Sequence, residues 1–76
     1  MKSISRKKAL ILLGKRIRKL REEQDISQAQ LAFEVGISRE HITRIENGHL
    51  NTTFYTLYKI ASVLEVEFQD LFPFLD

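Results

Sequence analysis

The 76-residue chain has no cysteine, no tryptophan, one methionine, one proline and three glycines. Without cysteine there is no disulfide framework and none of the common Cys-based zinc sites. The single proline, Pro73, stands near the C-terminal end, and no Pro/Gly-rich linker, repeat or low-complexity tract divides the chain. No segment approaches the roughly 20 apolar residues of a membrane span. The run Ala9 to Leu13 is too short for the roughly 7–15 apolar residues of a signal peptide, and Lys15-Arg16 follows at once. No membrane partner is therefore expected, the expected compartment is the cytoplasm, and the sequon Asn51-Thr52-Thr53 is expected to be idle. The length suits one small domain with a modest core and leaves little chain for a deep, water-excluding catalytic pocket. No phosphate-cradling loop and no supported Ser/His/Asp arrangement is present. His41 and His49 are separated by a Gly-containing turn, so both are expected to be exposed, His41 with a minor phosphate contact at most. No catalytic activity, metal, cofactor or small-molecule ligand is expected.

What is present is charge with a strong polarity along the chain. Nine of the twelve basic residues lie in the first 21 positions: Lys2, Arg6, Lys7, Lys8, Lys15, Arg16, Arg18, Lys19 and Arg21. From Ile60 to Asp76 there are Glu65, Glu67, Asp70 and Asp76 and no basic residue. Such asymmetry favours a polyanion on one side of the molecule, although a solvated basic helix gives the same pattern.

The apolar pattern is helical throughout. Leu10, Leu13, Ile17 and Leu20 form one stripe of a first helix from about Ser5 to Glu23. Ile11 and Leu12 lie off that stripe and offer a second surface. Gly14 weakens the helix by roughly 1 kcal/mol against Ala, so fraying is expected before it. Ser27 caps a second helix, with Gln30 completing a capping box and Ile26 stapling onto Leu31. Gly36 ends it through the left-handed conformation. Ser38 caps a third helix with Ile42 and Ile45 inward, and Gly48 terminates it. The four-residue link Val35 to Ser38 makes a helix-turn-helix the natural product. A fourth helix is expected from about Thr53 to Leu64, with Phe54, Leu57, Ile60, Ala61 and Leu64 inward. A short fifth is expected from about Glu67 to Phe72, with Val66 placed to staple onto Leu71, and Pro73 limits it.

The segment Gln28 to Gly48, QAQLAFEVGISREHITRIENG, resembles the helix-turn-helix of lambda repressor and Cro proteins, the XRE family. The resemblance extends to Ile17-Arg18-Lys19-Leu20-Arg21 before the motif and to Leu57 through Leu64 after it. It implies an all-α, five-helix lambda-repressor-like fold in which the second and third helices form the helix-turn-helix. Ala32 then sits where the two helices cross, and Gly36 takes the turn position that needs a positive φ. The DNA-binding domain would span residues 13–76, with 1–12 as a basic N-terminal extension or the start of the first helix. That extension can be an arm, a helical continuation or part of a dimer contact.

On a helical wheel of about 100° per residue, Glu40, Thr43, Arg44 and Asn47 point away from Ile42 and Ile45, with Arg39 on the flank. These side chains have the donors and acceptors that a major groove requires, and Arg39 and Arg44 suit guanine. By resemblance, Ser38, Arg39, Glu40, Thr43 and Arg44 occupy base-reading positions. Gln28 and Asn47 match phosphate-contacting positions. Asn51, Thr52 and Thr53 offer further phosphate donors, with turn and capping chemistry as the competing reading. Arg21 and Glu46 match the family's ion pair between first and third helices and are assigned to scaffold. Family members commonly carry Gly before the residue matched by Val66. Here Glu65 stands there, at a cost on the order of 1 kcal/mol if the position is left-handed.

Tyr55, Tyr58, Phe68, Phe72 and Phe74 exceed what one small core needs and form the expected dimer surface, the alternative being that they cap the protein's own core. The expected function is a homodimeric regulator of transcription on a palindromic or pseudo-palindromic operator. The lack of a sensing domain resembles the small controller proteins of restriction–modification systems. An antitoxin of the same fold, binding a partner protein and repressing its own promoter, is the alternative. Non-specific DNA binding is a third.

Overall fold

The computed structural model describes residues 3–75; Lys2 of the basic cluster and Asp76 of the acidic stretch lie outside them. Four α-helices follow one another: α1 (Arg6–Glu23), α2 (Gln28–Val35), α3 (Arg39–Glu46) and α4 (Phe54–Val63). A single 3-10 turn, Phe68–Leu71, stands in place of the expected fifth helix. Its four residues are too few to recover the cost of nucleating an α-helix. Glu67 and Asp70 instead close a capping box on the turn, and Pro73 lacks the N–H that would extend it.

Each α-helix begins on a hydroxyl. Ser5, Ser27, Ser38 and Thr53 have extended backbones, and their side chains accept from the amides of Lys8, Gln30, His41 and Thr56. Each cap satisfies a donor that the first turn leaves without a partner. Ser27 caps alone, because the Gln30 side chain donates to Glu34 Oε2 at 2.7 Å instead of returning to the cap. Gly36 is left-handed at φ 87°, so α2 ends abruptly and α3 departs in a new direction. Glu65 also holds a left-handed backbone, at φ 57°.

The core joins Leu13, Ile17 and Leu20 of α1 with Leu31, Ala32 and Val35 of α2 and Ile42 and Ile45 of α3. Ile60, Ala61, Leu64 and Leu71 complete it. Two expectations change here. α1 does not fray before Gly14 but continues without a break from Arg6. Gly14 is instead the point at which α1 touches α3: a Cβ there would fall inside the van der Waals envelope of the Ile45 and Glu46 carbonyls. Phe54 is not inward but 67% exposed. It occupies the first turn of α4, beyond the edge of the core, and rests on Phe68 with ring centroids 4.8 Å apart. Thr56 is buried nearby.

Candidate nucleic-acid interface

α3 is eight residues long, and its two faces do different work. Ile42, Ile45 and Glu46 are buried. Ser38, Arg39, Glu40, Arg44 and Asn47 are exposed, and Thr43 is half-buried at the margin. Glu40 lies in the first turn and Arg44 in the last, each where the helix dipole favours its charge. Among the described residues Arg39, Glu40 and Arg44 take part in no salt bridge. Their donors and acceptors are therefore open to an external partner.

The inner face is held by charge as well as by packing. Arg21 Nε donates to Glu46 Oε2 at 2.7 Å and Arg21 Nη2 to Glu46 Oε1 at 3.0 Å, a bidentate pair. Arg21 Nη1 donates to the Ile26 carbonyl at 2.7 Å. All three nitrogens of the guanidinium are thus engaged within the protein, and α1, α3 and the start of α2 are joined at one point. The hydrogen bond to Glu46 holds Arg21 above its ordinary pKa, while burial pulls it the other way. The guanidinium stays charged at any pH at which a protein is handled, so this side of the pair contributes no pH dependence in that range.

The other expected contact residues are divided by the structure. Gln28, the first residue of α2, donates from Nε2 to Glu46 Oε1 at 3.0 Å and accepts from Thr43 Oγ1 at 3.0 Å. Thr53 caps α4, and its hydroxyl both accepts from the Thr56 amide and donates to Thr56 Oγ1. Thr52 Oγ1 meets His41 Nε2 at 3.0 Å, so His41 is half-buried against the α3–α4 turn and not simply exposed. Asn51 is exposed. No sequence signal pointed to the His41–Thr52 link, because two polar residues eleven apart across a turn have no periodic signature.

The aromatic residues form a continuous strip. Tyr55 stacks beside Tyr58 at 6.4 Å, Tyr58 beside Phe54 at 6.4 Å, and Phe68 reaches Phe72 at 5.2 Å. Phe72 reaches Phe74 at 6.2 Å. Tyr55 and Tyr58 are exposed, whereas Phe68, Phe72 and Phe74 are half-buried against the core. Phe33, on the outer side of α2, is exposed at 81%, which the sequence pattern did not foretell. Among the described residues no helix is long and apolar enough to cross a membrane, and no group of three or more His, Cys, Asp or Glu could hold a metal ion.

The helix-turn-helix family model HTH_3 matches residues 17–71, more than half of the chain. The chain belongs to this family. It is 41% identical over 61 residues to an uncharacterized HTH-type transcriptional regulator of Archaeoglobus fulgidus, across 80% of this chain and 87% of that one. It is 35% identical over 65 residues to the control protein C.BamHI of Bacillus amyloliquefaciens, across 84% and 80%. The restriction–modification controller protein C.AhdI of Aeromonas hydrophila superposes with a TM-score of 0.81 at 35% identity, over 83% of this chain and 96% of that one. The biofilm regulator SinR, solved in complex with DNA, superposes with a TM-score of 0.72 at 32% identity, over 78% and 95%. The chain thus has the DNA-binding fold of helix-turn-helix transcription regulators and lies close to the controller proteins of restriction–modification systems.

Proposed function

We propose that the protein is a sequence-specific regulator of transcription that binds double-stranded DNA as a homodimer, in the manner of a restriction–modification controller protein. One observation carries the reading. An eight-residue helix, capped by Ser38 and fixed from behind by the buried Arg21–Glu46 pair, displays Arg39, Glu40 and Arg44 with no salt bridge among the described residues. That is a rigid, polar edge of the width a major groove admits. Arg39 and Arg44 suit guanine O6 and N7, and Glu40 suits a cytosine amine. Ser38 still has its hydroxyl proton to donate, since the cap uses only a lone pair. Thr43 borders the same surface. Gln28, Asn47, Asn51, Thr52 and Thr53 flank it on the side assigned to the phosphate backbone, where contacts set register and carry no sequence information.

The aromatic strip supplies the dimer surface in this reading, led by the exposed Tyr55 and Tyr58. A two-fold pair would set recognition helices about 34–36 Å apart, one turn of DNA, and would read a palindromic operator. The operating compartment is the cytoplasm, on the nucleoid. Selection from a randomised duplex library at near-physiological salt tests the whole. A two-fold symmetric enriched site is the expected outcome. Absence of enrichment, with a partner protein co-purifying on the aromatic strip, would favour the antitoxin reading instead.

A further inference from the structure

The hydrogen bonds around Gln28 have a direction that can be worked out. Glu46 has a side chain exposed at only 1% and accepts from Arg21 with both oxygens. An ionised carboxylate paired in this way has nothing to donate. The Gln28 group facing Glu46 Oε1 at 3.0 Å must therefore be the NH2. The amide carbonyl then faces Thr43 Oγ1 at 3.0 Å, and a carbonyl oxygen only accepts. The Thr43 hydroxyl must donate its one proton inward. A charge on the third helix, acting through the first side chain of the second, thus fixes the polarity of a hydroxyl at the edge of the reading surface.

This has a chemical consequence. With its proton committed to Gln28, Thr43 has only lone pairs left for an outside partner. Phosphate oxygens have no hydrogens to offer them. The Gln28 side chain is likewise held at both ends, which leaves one hydrogen of its NH2 and the first main-chain amides of α2 as its route to a backbone phosphate.

We propose that Thr43 is a positioning residue that donates to neither a phosphate nor a base: its hydroxyl locks Gln28 onto Glu46 and so fixes the start of α2, the backbone-gripping element, relative to α3, the reading element. The inference rests on the DNA-binding reading above and refines the role of two residues within it. Loss of the lock loosens the register between the two elements, so every sequence suffers alike.

Two substitutions separate the possibilities, with wild-type full-length protein as reference on the site it selects. Thr43→Val keeps the branched shape and removes the hydroxyl. It is expected to weaken binding roughly five- to tenfold on the selected site and on its single-base variants alike, a factor in keeping with one hydrogen bond. Thr43→Ser keeps the hydroxyl, loses a methyl and should bind like wild type. In the free protein, Thr43→Val should shift the Gln28 side-chain amide resonances in NMR, and Thr43→Ser should not. Gln28→Ala guards against a local fold defect in the first variant. It should cause a similar uniform loss, and the double variant Gln28→Ala, Thr43→Val should be little worse than either single one. The proposal is overturned if Thr43→Val alters preference at one base pair, if Thr43→Ser does so through the missing methyl, or if the Gln28 resonances stay in place. Full additivity in the double variant would also overturn it. A wild-type protein that selects no site removes the DNA-binding reading and this inference with it, an outcome distinct from all of these.

Discussion

Two residues of α1 determine how well α3 is held. Gly14 in mid-helix should be improvable on propensity alone, since Ala is better there by about 1 kcal/mol. The structure reverses that expectation, because the added methyl would collide with the Ile45 and Glu46 carbonyls. Gly14→Ala is expected to destabilise by about 1–3 kcal/mol, the range for overpacking, in urea denaturation. A stabilised variant would mean that α1 and α3 are less closely packed than described. Arg21 acts through charge. Arg21→Ala leaves Glu46 buried without its cation and should cost about 3–5 kcal/mol, enough to unfold much of so small a domain. Replacing both partners by Arg21→Met and Glu46→Leu should recover most of that loss, because no isolated charge remains. A double variant as unstable as the single one would show that the pair is needed for more than cancelling charge.

At the scale of elements, the sequence foretold the caps better than the contacts. Ser27, Ser38 and Gly36 act locally, within a turn of chain, and their chemistry is therefore legible from neighbouring residues. Beyond the short fifth element and the Gln30 capping box, which failed locally, the failures were tertiary. The fraying expected before Gly14 assumed a solvated helix, and only the approach of α3 shows why a glycine is needed. Phe54 fits the inner stripe of α4 by periodicity, yet it stands beyond the edge of the core and rests on Phe68. The exposed polar face of α3 was legible as a surface, but the candidate site was not legible as a network. That Gln28 and Thr43 share a bond depends on how α2 crosses α3. Glu65 was readable as a departure from the family pattern, and its φ of 57° meets the left-handed condition on which the expected cost depends. Glu65→Gly should accordingly raise stability by about 0.5–1 kcal/mol in the same denaturation assay, with no effect on DNA affinity. The first turn of α1 carries Arg6, Lys7 and Lys8 and no acid, against the preference of a helix N-terminus for negative charge. Changing these three to Gln should raise the melting temperature. If this turn lies along DNA, the log–log salt slope should also fall by about 0.9 for each phosphate no longer neutralised. An unchanged slope would confine the basic turn to a role away from DNA.

At the scale of the molecule, the aromatic strip and α3 must cooperate if a symmetric site is to be recognised as proposed. Tyr58 is a better probe of association than Phe72, because Tyr58 is exposed while Phe72 also packs on the protein's own core. Tyr58→Glu should leave the monomer folded, shift sedimentation at micromolar concentration towards the monomer, and weaken binding to a full site far more than to a half-site. Equal weakening on both would place Tyr58 outside the dimer contact. The division of α3 into two faces has a further consequence, for how such a protein changes over generations. Ile42, Ile45 and Glu46 are buried, whereas Arg39, Glu40 and Arg44 are exposed and form no salt bridge among the described residues. Substitutions at these three exposed positions therefore leave the core and the buried pair intact. If these positions read DNA as proposed, a lineage can drift from one operator to another through stable intermediates, and a duplicated copy can part from its parent's targets without first having to survive a loss of fold.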